Sequence, residues 1–489
     1  MNINLLRLCL PFTLLILVAS CQKNTIEEPG EEVPETNLVA DYDHSVIWEW
    51  NELFARIDKD ALGYRPCPGP RALAYMGLSA YEIAVPGMPT FNSLKTQWGT
   101  DLKIPDFQVG QNIHWPTAIN SSYAFLMKKF FFKTNFVQGF GHISNAEAQK
   151  MIATLETGLE TKFKAEINDL VLFNDSKAWG EKVATAIWNW AITDAYGHES
   201  DLNPLSNDPT KGDAFYYNWR AKSMVDGKVV PGRWQPTNDN PDGGMFPYGG
   251  RMRTFVTNDA QKLCPPPLAY SESKTSPFYA QALEVYSLSN PDMRYEDRWV
   301  SEFWSDDIFG QTFSPPTRVI AILDQVLVIE KANLEKAVES VAKLGLGLND
   351  YGVACWHSKY VYNVERPETY IKRLIDPNWE PILVNTVSGV QGITPSFPAY
   401  PSGHSTFGGG AGVLLADLFG QNYEFTDLCH KDRTEFLGIP RTFNSFEDAG
   451  YENALSRVTL GVHFRMDCVA GVALGQAISR RVLKLPWKK

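Results

Sequence analysis

From Asp41 onward, apolar residues recur at steps of three and four, a period that commits most of the chain to helices. Ile152, Leu155, Leu159, Phe163 and Ile167 trace one helical face; Trp179, Val183, Ile187 and Trp190 trace the next. The same pattern predicts helices over His44–Ala61, Arg71–Ala84, Trp115–Phe132, Pro277–Ser287 and Arg318–Leu344. Pro315-Pro316 precedes the last of these, where proline is tolerated at a helix start. Alternating strand patterns are nearly absent and no internal repeat is evident, so an all-α bundle architecture is expected. Asn203 to Asn258 departs from the period. It is rich in Pro, Gly, Asn and Asp and reads as a long ordered loop with a short hairpin at Val229-Val230. Asn238-x-Asn240-x-Asp242-Gly243 looks like a calcium loop, but Gly249 stands where a bidentate Glu is needed, so the segment reads as a turn.

The ends carry different information. Residues 1–20 have the make-up of a secretory signal, with Arg7 as the positive start and Leu8 to Val18 as an apolar run too short for a membrane span. It closes as Val18-Ala19-Ser20-Cys21, so cleavage and lipidation of Cys21 are expected; an ordinary signal peptide with a nearby Cys is the alternative. Residues 21–40 hold several Glu with Pro29, Gly30 and Pro34 and read as an acidic flexible tether. No later stretch reaches the roughly 18 consecutive apolar residues of a span. The expected location is therefore a bacterial cell envelope, with the lipid on Cys21 as the membrane attachment. Loss of Arg7 alone takes the net charge from −11 to −12, and an acidic chain without a basic run argues against nucleic acid as partner. Of the seven cysteines, Cys67, Cys264, Cys355, Cys429 and Cys468 remain once Cys9 and Cys21 are set aside. They show no CxxC spacing, which argues against zinc and leaves at most two disulfides.

Three blocks near the C-terminus carry chemistry. Lys359 and Arg366 are seven apart, so both project from one face if the segment is helical. Pro367 disfavours helix at Arg366 and would put its guanidinium at a helix end. Alone, such cations are usually solvated. In Pro401-Ser402-Gly403-His404, a helix over Ser405–Phe419 would leave Ser402 and Gly403 at its N-terminus, where amides attract anions. The bland alternative is a glycine-rich helix packed tightly on a neighbour. In Ser456-Arg457-x5-His463-x3-Asp467, His463 and Asp467 stand i, i+4 on a helix face, and the carboxylate would fix the imidazole tautomer. A helix-surface pair is the alternative there. Arg457 is off that face and would reach in from the helix start. Together the blocks equip a site for a tetrahedral oxyanion, phosphate or vanadate.

The ordered triple motif resembles the superfamily of type 2 phosphatidic acid phosphatases and vanadium haloperoxidases, over the last ~140 residues. Phe397 through His404 and Glu452 through His463 are most similar to vanadium-dependent chloroperoxidases, with weaker similarity at Arg71–Tyr75 and Glu302-Phe303-Trp304. The resemblance implies two four-helix bundles with long loops, residues 41–317 as scaffold and lid and residues 318–489 as the core. It implies vanadate as cofactor, in a site that phosphate can also occupy, bound at the metal by His463. Lys359, Arg366, Ser402, Gly403 and Arg457 would hold its oxygens. His404 would be the acid–base residue, with Lys359 and Asp467 as further catalytic groups. Trp356 and Phe397 would wall the halide pocket; core packing is their alternative. Asp307 would orient Arg457. Algal bromoperoxidases typically carry histidine where Phe397 stands here. The implied activity is oxidation of halide by hydrogen peroxide to a hypohalous species that halogenates an organic acceptor. Two alternatives remain: an acid phosphatase with His463 as nucleophile, and a lipid-anchored protein that only binds oxyanions.

Overall fold

The computed structural model describes residues 37–489, apart from 109, 140, 213, 238–242, 307 and 386–388. The expected signal, Cys21, most of the tether, the turn at 238–242 and Asp307 lie outside the described residues. Residues Asn37–Lys489 make one compact unit.

The chain begins with α1 (Ser45–Asp58), α2 (Pro68–Ala84), α3 (Trp115–Phe130), α4 (Asn145–Ile167) and α5 (Leu170–Ala191). Their starts follow local chemistry. Pro116 sits in the first turn of α3, Ser144 and Glu147 form a capping box on α4, and Asp169 Oδ1 accepts from the Val171 and Leu172 amides of α5. The faces read from the periodicity are the buried ones, with Ile152, Leu159, Phe163, Trp179, Val183, Ile187 and Trp190 all inside. The long loop contains α6 (Trp219–Ser223) and a hairpin of β1 (Met224–Val225) and β2 (Lys228–Val229). Asp226 and Gly227 make its turn at φ 48° and 74°.

Helices α7 (Pro277–Leu288) and α8 (Tyr295–Phe303) follow. The single helix expected over Arg318–Leu344 is in fact two, α9 (Pro315–Ile329) and α10 (Leu334–Tyr362). Lys331 turns left-handed at φ 49°, and Asn333 Oδ1 accepts from the Lys336 amide at 2.9 Å to cap the new helix. Apolar residues continue in phase across the break, so periodicity alone did not reveal it.

The rest comprises α11 (Pro367–Leu374), α12 (Gly403–Phe419), β3 (Phe425–Asp427), β4 (Arg441–Phe443), α13 (Phe446–Thr459) and α14 (Arg465–Val482). The middle of α10 is buried all round, Leu344, Leu346 and Leu348 included. It packs against α2, which itself packs with α3 and α5, and against α12 and α14, which pack with α13. The all-α expectation holds, with α10 shared by both helical groups. All five remaining cysteines are free thiols, within the bound of at most two disulfides. Among the described residues no helix is long and apolar enough to cross a membrane.

Candidate functional site

Lys359 and Arg366 do not share a helix face. Helix α10 ends at Tyr362 because Asn363 turns left-handed at φ 51°, and Arg366 is extended, at φ −80° and ψ 155°, as the residue that opens α11. Pro367 explains that extension. Both cations are nevertheless buried together. Lys359 Nζ donates to the carbonyls of Pro398 (2.8 Å) and Ala399 (2.9 Å). Arg366 donates through Nε to Phe397 O (2.8 Å), Nη1 to Val462 O (2.7 Å) and Nη2 to Pro395 O (3.1 Å). Main-chain dipoles hold both side chains in place.

Ser402 caps α12, its Oγ accepting from the Ser405 amide at 3.4 Å. Gly403 is the first helical residue, so its amide has no intrahelical acceptor. A Cβ at Gly403 would lie 3.4 Å from the Trp356 ring, which shows how closely indole and helix start approach. The bland reading of this helix is also true: Gly408 meets Asn453 and Gly450 of α13, Gly409 meets Val472 of α14, and Gly410 meets Tyr351 of α10. Tight packing and an anion-facing N-terminus coexist in one element.

The third block differs most from expectation. Arg457 lies in the last turn of α13, not at a helix start, and His463 lies just ahead of α14, not on its face. Gly461 makes the intervening turn at φ 92°, where a Cβ would sit 2.6 Å from Ser289 Oγ, so glycine is required there. Asp467 still reaches the imidazole. Its Oδ2 accepts from the Phe464 amide at 3.0 Å and lies 3.0 Å from His463 Nδ1. The other ring nitrogen, Nε2, is 3.1 Å from Arg366 Nη1. Ser402 N donates to Asp467 O at 2.9 Å, tying the second block to the third.

Electrostatics fixes the proton on this histidine. Burial, then Arg366, Lys359, Arg457 and His404, push His463 well below the ordinary histidine range, so the ring is neutral. With Nδ1–H donated to the carboxylate, Nε2 keeps a lone pair. Burial also presses Lys359 down from its ordinary range and Asp467 up from its own. Each offsets part of the other's penalty.

These groups face a cavity of ≈170 Å³ whose lining includes Gly403, His404, Arg457, His463, Trp356 and Phe397. Phe397 packs on Trp356 at 4.9 Å and 60°, while Lys359 Nζ and Arg366 Cζ each stand 4.9 Å from its ring centroid. Trp356 is held by its Nε1–H, which donates to Met245 O at 3.0 Å. Lys359, Arg366, Ser402 and Asp467 stand immediately behind this lining through the bonds already described.

Sequence reasoning missed several neighbours. Asp306 lines the cavity and is fully buried, paired with Arg318 at 3.3 Å and with His430 Nε2 at 3.0 Å. Burial would raise its carboxyl, but Arg318 and His430 outweigh that and hold it at about 2. Arg318 also grips Asp427 at 2.8 Å. The one sequence signal was an arginine set among Val319, Ile320, Ile322 and Leu323, because charges inside apolar helices are buried only when paired. Met245, Ile308, Leu383 and Ile393 supply apolar lining from loops that carry no motif.

Residues 339–486 match the family described as the VCPO second helical-bundle domain. The chain is 24% identical over 344 residues to the vanadium chloroperoxidase of Curvularia inaequalis, covering 54% of each protein. Thus it spans about half the length of that curated relative. It is 27% identical to a bacterial vanadium-dependent iodoperoxidase of known structure, covering 92% of this chain and 98% of that one with a TM-score of 0.73. The chain is thus similar to vanadium-dependent haloperoxidases in sequence and fold. A bacterial vanadium-dependent chloroperoxidase structure shares the fold at 15% identity and a TM-score of 0.58, over 86% of this chain and 93% of that one. The segment matched by the family, residues 339–486, contains all three blocks.

Proposed function

We propose that the chain is a vanadate-dependent haloperoxidase that oxidises halide with hydrogen peroxide and delivers a hypohalous species to an organic acceptor. The observation that carries this reading is the placement of His463, its Nδ1 on Asp467 and its Nε2 turned to Arg366 among buried cations beside an aromatic-walled cavity. Such a donor set fits vanadate: one nitrogen ligand, three cations and helix-start amides for a tetrahedral oxyanion. Lys359, Arg366, Ser402, Gly403 and Arg457 would hold its oxygens and His463 its metal. Vanadate would supply Lewis acidity that activates hydrogen peroxide without a change of metal oxidation state.

The chain's own residues do the rest. His404 accepts the proton that peroxide gives up on binding. Lys359 and Arg366, desolvated and fixed by carbonyls, stabilise developing negative charge with little reorganisation. Asp467 keeps the His463 proton on Nδ1. Trp356 and Phe397 exclude water from the side where halide approaches, and the cations behind Phe397 favour an anion there. The organic acceptor halogenated in this way is left open by the cavity's mixed lining.

The same His463–Asp467 pair would also serve a phosphatase as nucleophile and support. Purified protein loaded with orthovanadate should halogenate a phenol reporter with peroxide and iodide, bromide or chloride. Brisk phosphomonoester hydrolysis, inhibited by vanadate and unaccompanied by halogenation, would instead establish the phosphatase. For localisation, the lipobox-like end supports anchoring of the mature protein in the cell envelope through Cys21. Cys21→Ala should release it from membranes; unchanged membrane association would sink that assignment.

A further inference from the structure

We infer that Met245 is the enzyme's own sulfur oxidation site: its thioether is the first sulfur that escaping hypohalous acid meets. The inference rests on the haloperoxidase reading. Met245 lines the same cavity as His404, Arg457 and His463. Among the described residues no other methionine lines that cavity; Met76, Met88, Met127 and Met252 are shut away in the core. The nearest thiols are also protected. Cys355 is fully buried and is pushed up to about 11 by burial, so it holds no nucleophilic thiolate at neutral pH. A thioether needs no deprotonation to react.

An adjoining groove holds a second thioether and offers a route outward. Ile308 and Leu383 line both the active cavity and an adjoining groove of ≈470 Å³, and Met293 lines that groove. Oxidant leaving by this route passes Met245 first and Met293 next.

The chemistry balances. The sulfur lone pair attacks hypohalous acid, the oxygen–halogen bond breaks, and the halogen leaves as halide. One sulfur–oxygen bond forms and one proton is released, so sulfur loses two electrons and the halogen gains them. The product is methionine sulfoxide, a polar group in place of an apolar one, which sulfoxide reductases can reverse. Its position has a direct consequence for turnover. The Met245 carbonyl accepts from Trp356 Nε1 at 3.0 Å and from Tyr360 Oη at 2.8 Å, so a change of packing at Met245 is felt at the aromatic wall.

The test is peptide mass mapping during turnover. Vanadate-loaded enzyme is run with peroxide, bromide and limiting phenol reporter, and sulfoxide is quantified at each methionine while halogenated reporter is counted. The expected order is Met245, then Met293, ahead of the half-buried Met151, Met224 and Met466. Hypobromite added to idle enzyme should reverse that order, because oxidant from bulk meets outer sites first. A Met245→Leu variant should lose activity more slowly, each enzyme measured against its own initial rate. Reporter halogenation with Met245 still reduced, or one order of oxidation in both regimes, overturns the inference. Absence of reporter halogenation overturns the haloperoxidase reading on which it stands.

Discussion

Arg318 and Arg366 are equally buried, at 1% and 0% exposure, yet they serve opposite ends. Arg318 lies between two carboxylates, 2.8 Å from Asp427 and 3.3 Å from Asp306, and its face stacks on Phe303 and Trp304. Its charge is cancelled where it stands. Arg366 donates to the carbonyls of Phe397, Val462 and Pro395 and to His463, so dipoles fix its guanidinium while the Asp467 carboxylate balances part of the charge from behind the imidazole. Lys359 is held the same way. A buried cation among carboxylates is a rivet, whereas a buried cation among carbonyls remains a positive field with a direction. The difference teaches that burial alone does not mark a site; partner chemistry does.

Each side of the contrast can be broken. Arg318→Met would strand Asp306 and Asp427 without their counter-ion and should cost about 3–5 kcal/mol in chemical denaturation. Arg366→Ala should do the reverse, with small change in unfolding but a fall in kcat of roughly 10²–10³ and weaker vanadate binding in equilibrium dialysis. Equal losses of stability in the two variants would erase the distinction. The rivet should also have a pH signature. Asp306 is held at about 2, below its unfolded value, so its contribution is complete above about pH 4 and is lost as pH falls towards 2. Acid unfolding of the wild type should therefore steepen in that window, by about 2–3 kcal/mol, and Asp306→Asn should flatten it. Least severe is Asp467→Asn, which keeps the side chain's shape but weakens its hold on the His463 proton; a 10–100-fold drop in vanadate affinity or activity is expected.

Much of the site could be read from the sequence because its residues carry unusual chemistry at short range. Ser402, Gly403 and His404 sit where a helix must start, and Pro367 forces Arg366 out of helix. The readings failed where a local rule had two solutions. Spacing of i, i+4 predicted a helical face for His463 and Asp467, yet the same separation is spanned by a cap in which Asp467 binds the Phe464 amide. Likewise, the seven-residue step from Lys359 to Arg366 crosses a left-handed Asn363. Asp306, Arg318 and the Asp427–His430 pair come from three separate segments, and only tertiary packing unites them.

Asp467 has a consequence for anyone who would reshape this pocket. One carboxylate starts α14 and aims His463, while its own carbonyl receives the Ser402 amide at the start of α12. Close approach of Gly471 to Ser402 O leaves no slack between those two helices. Catalytic alignment and helix register are thus one mechanical joint, and neither can be retuned alone. Among the described residues, the lining supplied by Ile308, Leu383 and Ile393 on connecting segments carries no such helix-to-helix joint. It is the replaceable side of the vessel, where new acceptors can be accommodated by substitution while the anvil stays fixed.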